Sequence, residues 1–406
     1  MRVDHLSLTN FRNFVRLEAA LPAGPLVLAG ANAQGKTSLL EALYLLACAA
    51  SPFADSDRQV INFLALREAQ PVARLVAEIH NRRGPVRLEL RLYFEPLASG
   101  ETRFRKEVLV NGVRRKPADL ASHFNAVLFL PQEMRVVEGA PAERRRHVDE
   151  LLAQVDPPYV AALSDYQRVL AQRNALLRQL QEAGGEGGQL DFWDEQLAAS
   201  GAAITLARSN ALAELEHAAQ PVHRQLTRQV ETLQLAYHPS IDPAAPEGLR
   251  GEGATQREMP LPVSVDRARF TFDDYGALFA ARLRQTRGES ILRGTTLHGP
   301  HRDELRFMIN GIDLGTYGSR GQARTGLLAL KLAEVEWMRS RVGEWPVLLL
   351  DEVLSELDRV RRADVLDHLG SAEQALLTTT DPEMLPESFR GRAPTWWLEG
   401  GTLRPG

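Results

Sequence analysis

Eight consecutive residues constrain the chain more than any others: Gly30, Ala31, Asn32, Ala33, Gln34, Gly35, Lys36 and Thr37, with Ser38 next. They meet the pattern G-x-x-x-x-G-K-[ST] at every fixed position. The flanks suit it. Residues 26–29, Leu-Val-Leu-Ala, read as a short buried strand, and 38–46 carry apolar residues three and four apart, as one face of a helix does. The spacing has a physical logic. Gly30 and Gly35 let backbone N–H groups converge on a polyphosphate with no Cβ in the way. The helix that follows adds its positive end, roughly half a charge. Lys36 is placed to reach the outer phosphates, and the Thr37 hydroxyl to ligate magnesium. A strand, this loop and a helix in succession predict an α/β fold.

At 406 residues the chain has room for two domains or more, and with 44% apolar residues it can bury a large core. It has no apolar run of about 18 residues, the length a membrane-spanning helix needs. Its first residues lack the layout of a signal peptide. Cys48 is the only cysteine, so neither a disulfide framework nor a cysteine metal site forms within one chain. These features predict a cytoplasmic protein. The net charge of −4 is not that of a bulk nucleic-acid binder, so contact with DNA requires a local patch.

Residues 2–8 and 15–21 read as strands joined by the turn Thr9-Asn10-Phe11-Arg12-Asn13-Phe14, a hairpin leading into the loop strand. Arg12 in that turn is either a solvated surface cation or a positive group near the phosphates or DNA. Strands follow at 73–80, 86–93 and 104–110, with Asn111-Gly112 as a hairpin turn. This stretch is basic, and one antiparallel sheet would carry Arg82, Arg83, Arg87, Arg91, Arg103, Arg105, Lys106, Arg114, Arg115 and Lys116. It is either a solvated face or a phosphate-backbone contact. The DNA candidates are Arg82, Arg83, Arg103, Arg105, Lys106, Arg114, Arg115 and Lys116. The apolar run 127–130 reads as a central strand stopped by Pro131, which puts Gln132 at a strand end where ligands collect in open α/β sheets.

From 143 to 230 helix formers dominate, interrupted by Pro157-Pro158 and by the breaker 184–188, Gly-Gly-Glu-Gly-Gly. Two helices of about 40 residues, roughly 60 Å each, would form an antiparallel hairpin. An arm projecting from a head is the expectation, with a globular helical subdomain as the alternative. Arg168, Arg173, Arg178, Arg208, Arg224 and Arg228 along it are mixed with acids and read as solvated. Residues 238–262 read as loop and 273–292 as helix. The expected domains are 1–143, 144–294 and 295–406.

Residues 346–352, Pro-Val-Leu-Leu-Leu-Asp-Glu, supply the counterpart of the loop. The apolar run is a buried parallel strand. Asp351 at its end can hold magnesium through water, and Glu352 can orient and deprotonate an attacking water. A third segment, Ser319-Arg320-Gly321-Gln322, opens a helix over 323–339 and forms another anion site, with the hydroxyl, backbone N–H groups and helix dipole aimed outward. One chain does not need two such sites for one nucleotide. Two chains do, if each completes the other's pocket.

The phosphate loop, Gln132, Ser319 to Gln322, Asp351-Glu352 and Ser355-Glu356-Leu357-Asp358 stand in the order of the ATP-binding-cassette ATPase heads. The helical insertion resembles the chromosome-maintenance (SMC/Rad50-like) branch. Within it, Asn10-Phe11-Arg12-Asn13 and Leu297-His298-Gly299-Pro300-His301-Arg302-Asp303 resemble the RecF family. The resemblance implies an α/β ABC-type ATPase head, a P-loop mixed sheet with helices plus an antiparallel β-subdomain, and an inserted helical-hairpin arm. It implies ATP and Mg2+ as cofactors, with Lys36, Thr37, Gln132, Asp351 and Glu352 binding and hydrolysing ATP. Ser319 and Gln322 would touch the γ-phosphate of ATP held by a second subunit, and Asp358 would lie at the dimer interface. It further implies a weak, DNA-stimulated ATPase of recombinational repair, an ATP-dependent homodimer on double-stranded and gapped DNA. Its partners would be the mediator RecR and, through it, the recombinase RecA, with a nucleoid-associated location. Two positions depart from the pattern. Arg320 stands where transporters have Gly, and 377–381, Leu-Thr-Thr-Thr-Asp, lacks the switch histidine, leaving Thr380 or Asp381 in its place. His298, His301, Arg302 and Asp303 match the family in type, and pairing of Arg302 with the neighbours of Asp303 is one reading of them. Two other functions stay open: an SMC-type nucleotide-gated tether with negligible turnover, and the ATPase subunit of a membrane transporter, against which the hairpin and the basic sheet speak.

Overall fold

The computed structural model describes all residues except 55, 69, 98–100, 185–186, 246–266, 268 and 371, and of Gln132, Glu356, Val360 and His368 only the backbone. The loop expected over 238–262 therefore falls largely outside the described residues, as do Gly185 and Glu186 of the breaker. The chain divides into two units, Met1–Glu133 with Glu334–Gly406, and Met134–Ala333.

In the first unit, β1 (Arg2–Phe11) and β2 (Phe14–Ala20) form the expected hairpin, with Phe11 opposite Phe14. Leu6, Leu8, Phe11, Phe14 and Leu17 point inward and are buried. β3 (Gly24–Ala29) leaves this hairpin for a second sheet and runs through the phosphate loop into α1 (Lys36–Cys48). β4 (Val72–Asn81), β5 (Gly84–Pro96), β6 (Thr102–Val110) and β7 (Val113–Arg115) return to the first sheet. That sheet is antiparallel throughout, in the order β2-β1-β4-β5-β6-β7. Its inner face sets Leu75, Leu88, Leu90, Leu92 and Val108 in one core with Leu39, Leu40 and Leu43 of α1. β8 (Ala126–Phe129) is buried at every residue, as a central parallel strand must be.

The second unit begins with α2 (Arg135–Glu138), α3 (Pro141–Ala153) and α4 (Pro157–Ala183), then α5 (Asp191–Leu226). The hairpin helices have 27 and 36 residues rather than about 40 each. The proline pair starts a new helix instead of kinking a longer one. Pro157 sits where a missing N–H is harmless, and Asp156 caps the turn by accepting the Tyr159 N–H at 3.1 Å. β9 (Leu233–His238) follows, then α6 (Phe272–Gln285) and α7 (Arg287–Arg293), which break the single helix expected over 273–292 at Thr286. α6 packs on α5 and α7 on α4, so the hairpin is covered along part of its length. Gly201 makes the first contact close, because a Cβ there would run into the Phe279 ring. β10 (Glu304–Ile309) joins β9 and β11 (Ile312–Asp313) in a small antiparallel sheet. α8 (Leu314–Tyr317) and α9 (Arg320–Val342) complete this part, α9 ending in the first unit.

Two arginines expected to be solvated are buried instead. Arg173 binds Asp194 at 2.7 Å, and Arg208 binds Asp149 at 2.8 Å and Asp303 at 3.0 Å. A cation is tolerated there only because each meets a carboxylate.

The first unit resumes with β12 (Val347–Asp351), α10 (Arg359–Leu369), β13 (Gln374–Thr379), α11 (Glu387–Arg390) and the hairpin β14 (Thr395–Glu399) and β15 (Thr402–Pro405). The second sheet runs β15-β14-β3-β13-β12-β8, parallel except for β15. The carboxyl ends of β3, β13, β12 and β8 share one edge, so residues far apart in sequence meet there.

Candidate functional site

The loop after β3 is gripped from two sides. On one, the Asn13 amide in the β1–β2 turn donates to the Gln34 carbonyl at 3.0 Å, and a Cβ on Gly35 (φ 110°) would run into that amide. On the other, the Gly400 N–H in the β14–β15 turn donates to Gln34 Oε1 at 2.7 Å. A Cβ on Gly30 (φ 155°) would lie 2.5 Å from the Leu398 carbonyl oxygen. Arg12 is half-buried and held by its own unit. Its Nε donates to Glu41 Oε2 of α1 at 2.8 Å and its Nη1 to the Gln59 carbonyl at 3.0 Å.

Lys36, the first residue of α1, is buried. Its Nζ donates to the carbonyls of Gly30 at 2.7 Å and Ala31 at 3.1 Å, and lies 3.2 Å from Glu352 Oε1. That carboxylate oxygen is shielded from solvent and makes no aligned hydrogen bond. The Thr37 hydroxyl is 2.8 Å from Asp351 Oδ2. On the other side of the same carboxylate, Thr378 of β13 donates to Oδ1 at 2.8 Å and accepts the Glu352 N–H at 3.0 Å. Glu352 itself has φ 53°, a left-handed conformation that non-glycine residues seldom adopt. Lys36, Thr37, Asp351 and Glu352 are therefore together.

The donor set suits a hard divalent cation that keeps most of its waters: one hydroxyl, one carboxylate, and a second carboxylate whose Oε1 is ion-paired with Lys36 without an aligned hydrogen bond. Among the described residues there is no cluster of three His, Cys, Asp or Glu that would form an all-protein metal cage. Gln132 lies in the turn Pro131–Met134 directly after β8, and its side chain is outside the described residues.

Ser319 to Gln322 stand in the second unit at the start of α9. Gln322 N–H donates to Ser319 Oγ at 3.2 Å, Ser319 N–H to Gln322 Oε1 at 3.0 Å, and Gln322 Nε2 to Glu231 at 2.8 Å. This reciprocal cap fixes the helix start. Ser319, Arg320 and Gly321 are exposed.

Half of the basic residues on the sheet are neutralised, Arg87 by Glu78 at 3.4 Å among them. On its outer face Arg105 pairs with Glu95 at 2.6 Å, Arg114 with Glu107 at 2.5 Å, and Glu89 takes both Arg74 at 2.7 Å and Arg91 at 2.6 Å. Lys106 binds Asp57 at 2.8 Å and the Ala49 carbonyl. Arg82, Arg83, Arg103, Arg115 and Lys116 are exposed, and their side chains form no ion pair among the described residues.

The 297–303 segment is internal to the second unit. Asp303 accepts from Arg208, from the Tyr237 hydroxyl at 2.5 Å and from the Ser240 N–H at 2.8 Å. Arg302 is exposed and takes no part in that network. No sequence signal tied Arg208 or Thr378 to their partners. Thr378 was visible only as a polar residue closing an apolar run.

No family model matches the chain. Relatives match it over its whole length. It is 40% identical over 416 residues to the DNA replication and repair protein RecF of Chloroflexus aggregans, with 100% of both chains covered. Among solved structures, the recombination mediator protein RecF with ATP, of the RecFOR pathway, superposes with a TM-score of 0.82 at 26% identity, covering 100% of this chain and 97% of that one. An SMC head bound to the C-winged helix domain of ScpA shares the fold at a TM-score of 0.50 and 13% identity, covering 100% of this chain and 97% of that one. The full-length identity and the ABC-type ATPase head agree, and the chain belongs to the RecF family of DNA replication and repair proteins.

Proposed function

We propose that the chain is an ATP-dependent DNA-binding protein of recombinational repair, in which two copies close on two ATP molecules and reopen after hydrolysis. The observation that carries this is the meeting of Lys36, Thr37, Asp351 and Glu352 at one sheet edge. Backbone N–H groups of the loop and the start of α1 bind the phosphates. Lys36 exchanges the Gly30 and Ala31 carbonyls for the outer phosphates. Thr37, Asp351 and Gln132 would hold Mg2+, which when bound neutralises charge on those phosphates. Glu352 orients a water and takes its proton at Oε1, the oxygen left without a partner once Lys36 turns away.

Ser319 and Gln322 at the start of α9, with the exposed Arg320 and Gly321 between them, meet the γ-phosphate held by the second copy. Swinging a dimer from 1:99 to 99:1 takes about 5.5 kcal/mol, a scale that charge-assisted bonds at two γ-phosphates match. Hydrolysis removes that link, so turnover acts as a timer: it is slow, and DNA stimulates it. Double-stranded and gapped DNA binds through the exposed side chains of Arg82, Arg83, Arg103, Arg115 and Lys116, which form no ion pair among the described residues. The kinship with RecF of the RecFOR pathway supports RecR as direct partner, RecA as the recombinase it serves, and a place at the nucleoid.

Glu352→Gln tests the catalytic assignment. It should keep ATP binding, lose at least about a hundredfold in turnover, the scale of a general base, and accumulate as an ATP-bound dimer. Unchanged turnover would favour the second reading, a nucleotide-gated tether whose residual hydrolysis does not use this carboxylate.

A further inference from the structure

Asp351 and Glu352 belong to β12, but what fixes them comes from the neighbouring strand. β13 is Gln-Ala-Leu-Leu-Thr-Thr, buried at every position. In the parallel register Thr378 lies opposite Asp351 on one side and Leu28 on the other, two residues before Gly30. Its hydroxyl is 4% exposed at the residue level, too enclosed for solvent to substitute for a lost partner. A hydroxyl has one hydrogen to give and lone pairs to receive. Here the hydrogen goes to Asp351 Oδ1 at 2.8 Å, and a lone pair takes the Glu352 N–H at 3.0 Å.

One oxygen thus joins two groups with different tasks. Asp351 is pinned between two hydroxyls, Thr37 across both oxygens at 3.0 and 2.8 Å and Thr378 on Oδ1. With the Thr37 hydroxyl given over to a cation, Thr378 would remain as a protein donor to that carboxylate. The same hydroxyl oxygen, by accepting the Glu352 N–H, anchors the peptide that carries Glu352 in its left-handed conformation. A strained φ persists only where the surroundings over-determine it. The Ser355 hydroxyl, bound to the Glu352 carbonyl at 2.5 Å, holds the other end of that residue.

We propose that Thr378 is a positioning residue of the nucleotide site, whose one hydroxyl sets the Asp351 carboxylate toward the cation and holds the backbone from which the Glu352 carboxylate reaches the attacking water. This rests on the ATP site assigned above. It differs from that assignment in adding a residue that touches neither nucleotide nor metal. The rival role is plain satisfaction of buried polar groups, which would affect stability and nothing else.

The test uses the full-length chain with Thr378→Ser, Thr378→Cys and Thr378→Val. Three quantities are read: binding of a fluorescent ATP analogue without metal, the Mg2+ concentration that gives half-maximal enhancement of that binding, and turnover. The valine keeps the shape and removes the hydroxyl. It should leave metal-free binding within about twofold, raise the Mg2+ midpoint by about tenfold and lower turnover by more than about tenfold, the scale of a lost bond to a charged group. Serine should restore both to within about threefold, and cysteine, a weak donor, should fall between. Should the valine variant fail to fold, the serine–cysteine pair decides alone. Thermal destabilisation with an unchanged Mg2+ midpoint and turnover overturns the proposal. A wild-type chain that binds no nucleotide overturns the site itself, a failure distinct from an indifferent Thr378 in an active protein.

Discussion

His301 sets its Nδ1 2.6 Å from the Tyr166 hydroxyl and its Nε2 3.3 Å from the Thr296 carbonyl. Burial foremost, then Arg302, Arg145 and His298, pushes its pKa down from 6.5 to about 4. The unfolded chain therefore takes up this proton more readily than the folded one. The stability it confers is complete above about pH 6.5 and is lost as pH falls toward 4. At about 1.4 kcal/mol per pH unit, the step from pH 7 to pH 5 removes roughly 2 kcal/mol. In His301→Gln that step should shrink by about this amount in urea unfolding at the two pH values, while His298 and His238 titrate alike in both proteins. Equal steps would show that His301 is not held neutral. At this scale the sequence was legible where chemistry follows local spacing. Lys36 and Thr37 declare themselves by position, and Asp351-Glu352 by closing an apolar strand. Thr378 did not, because only the β12–β13 register sets it opposite Asp351. Arg208 did not, because its carboxylates lie 59 and 95 residues away in the chain.

Among the elements, the phosphate loop owes its shape to two turns at opposite ends of the sequence, the β1–β2 turn and the β14–β15 turn. Gly30 and Gly84 separate two effects that glycine can have. Gly84 has φ 106° and open space around its missing Cβ, whereas Gly30 has φ 155° and faces the Leu398 carbonyl of β14. An alanine at Gly84 should cost only the conformational penalty, about 1–2 kcal/mol. At Gly30 the contact adds to that, because the opposing atom is strand backbone. Thermal unfolding should show the larger loss for Gly30→Ala, and only that variant should lose nucleotide affinity. Equal losses with intact nucleotide binding would contradict the two-sided grip. Strand content was readable from alternation and apolar runs, and so was the hairpin of long helices. Their ends were not. Helix-forming composition continues on both sides of residues 154–156, so the break there depends on the Asp156 cap and on Pro157. The order β2-β1-β4 was hidden too, since β3 intervenes in sequence and joins the other sheet.

For the whole molecule, the central claim is that one chain's nucleotide is completed by another chain's Ser319. That residue is exposed and caps a helix, so replacing it with arginine perturbs the fold by about 1 kcal/mol, the worth of a cap, while filling the space a γ-phosphate would need. The decisive measurement is molar mass by light scattering for wild type and Ser319→Arg, each with Mg2+ and ATP, ADP or no nucleotide. The account requires that ATP alone doubles the wild-type mass and that Ser319→Arg stays at the mass of one chain in every condition. A wild-type mass that does not respond to ATP would contradict it, and the loop at 30–37 would then serve a single chain.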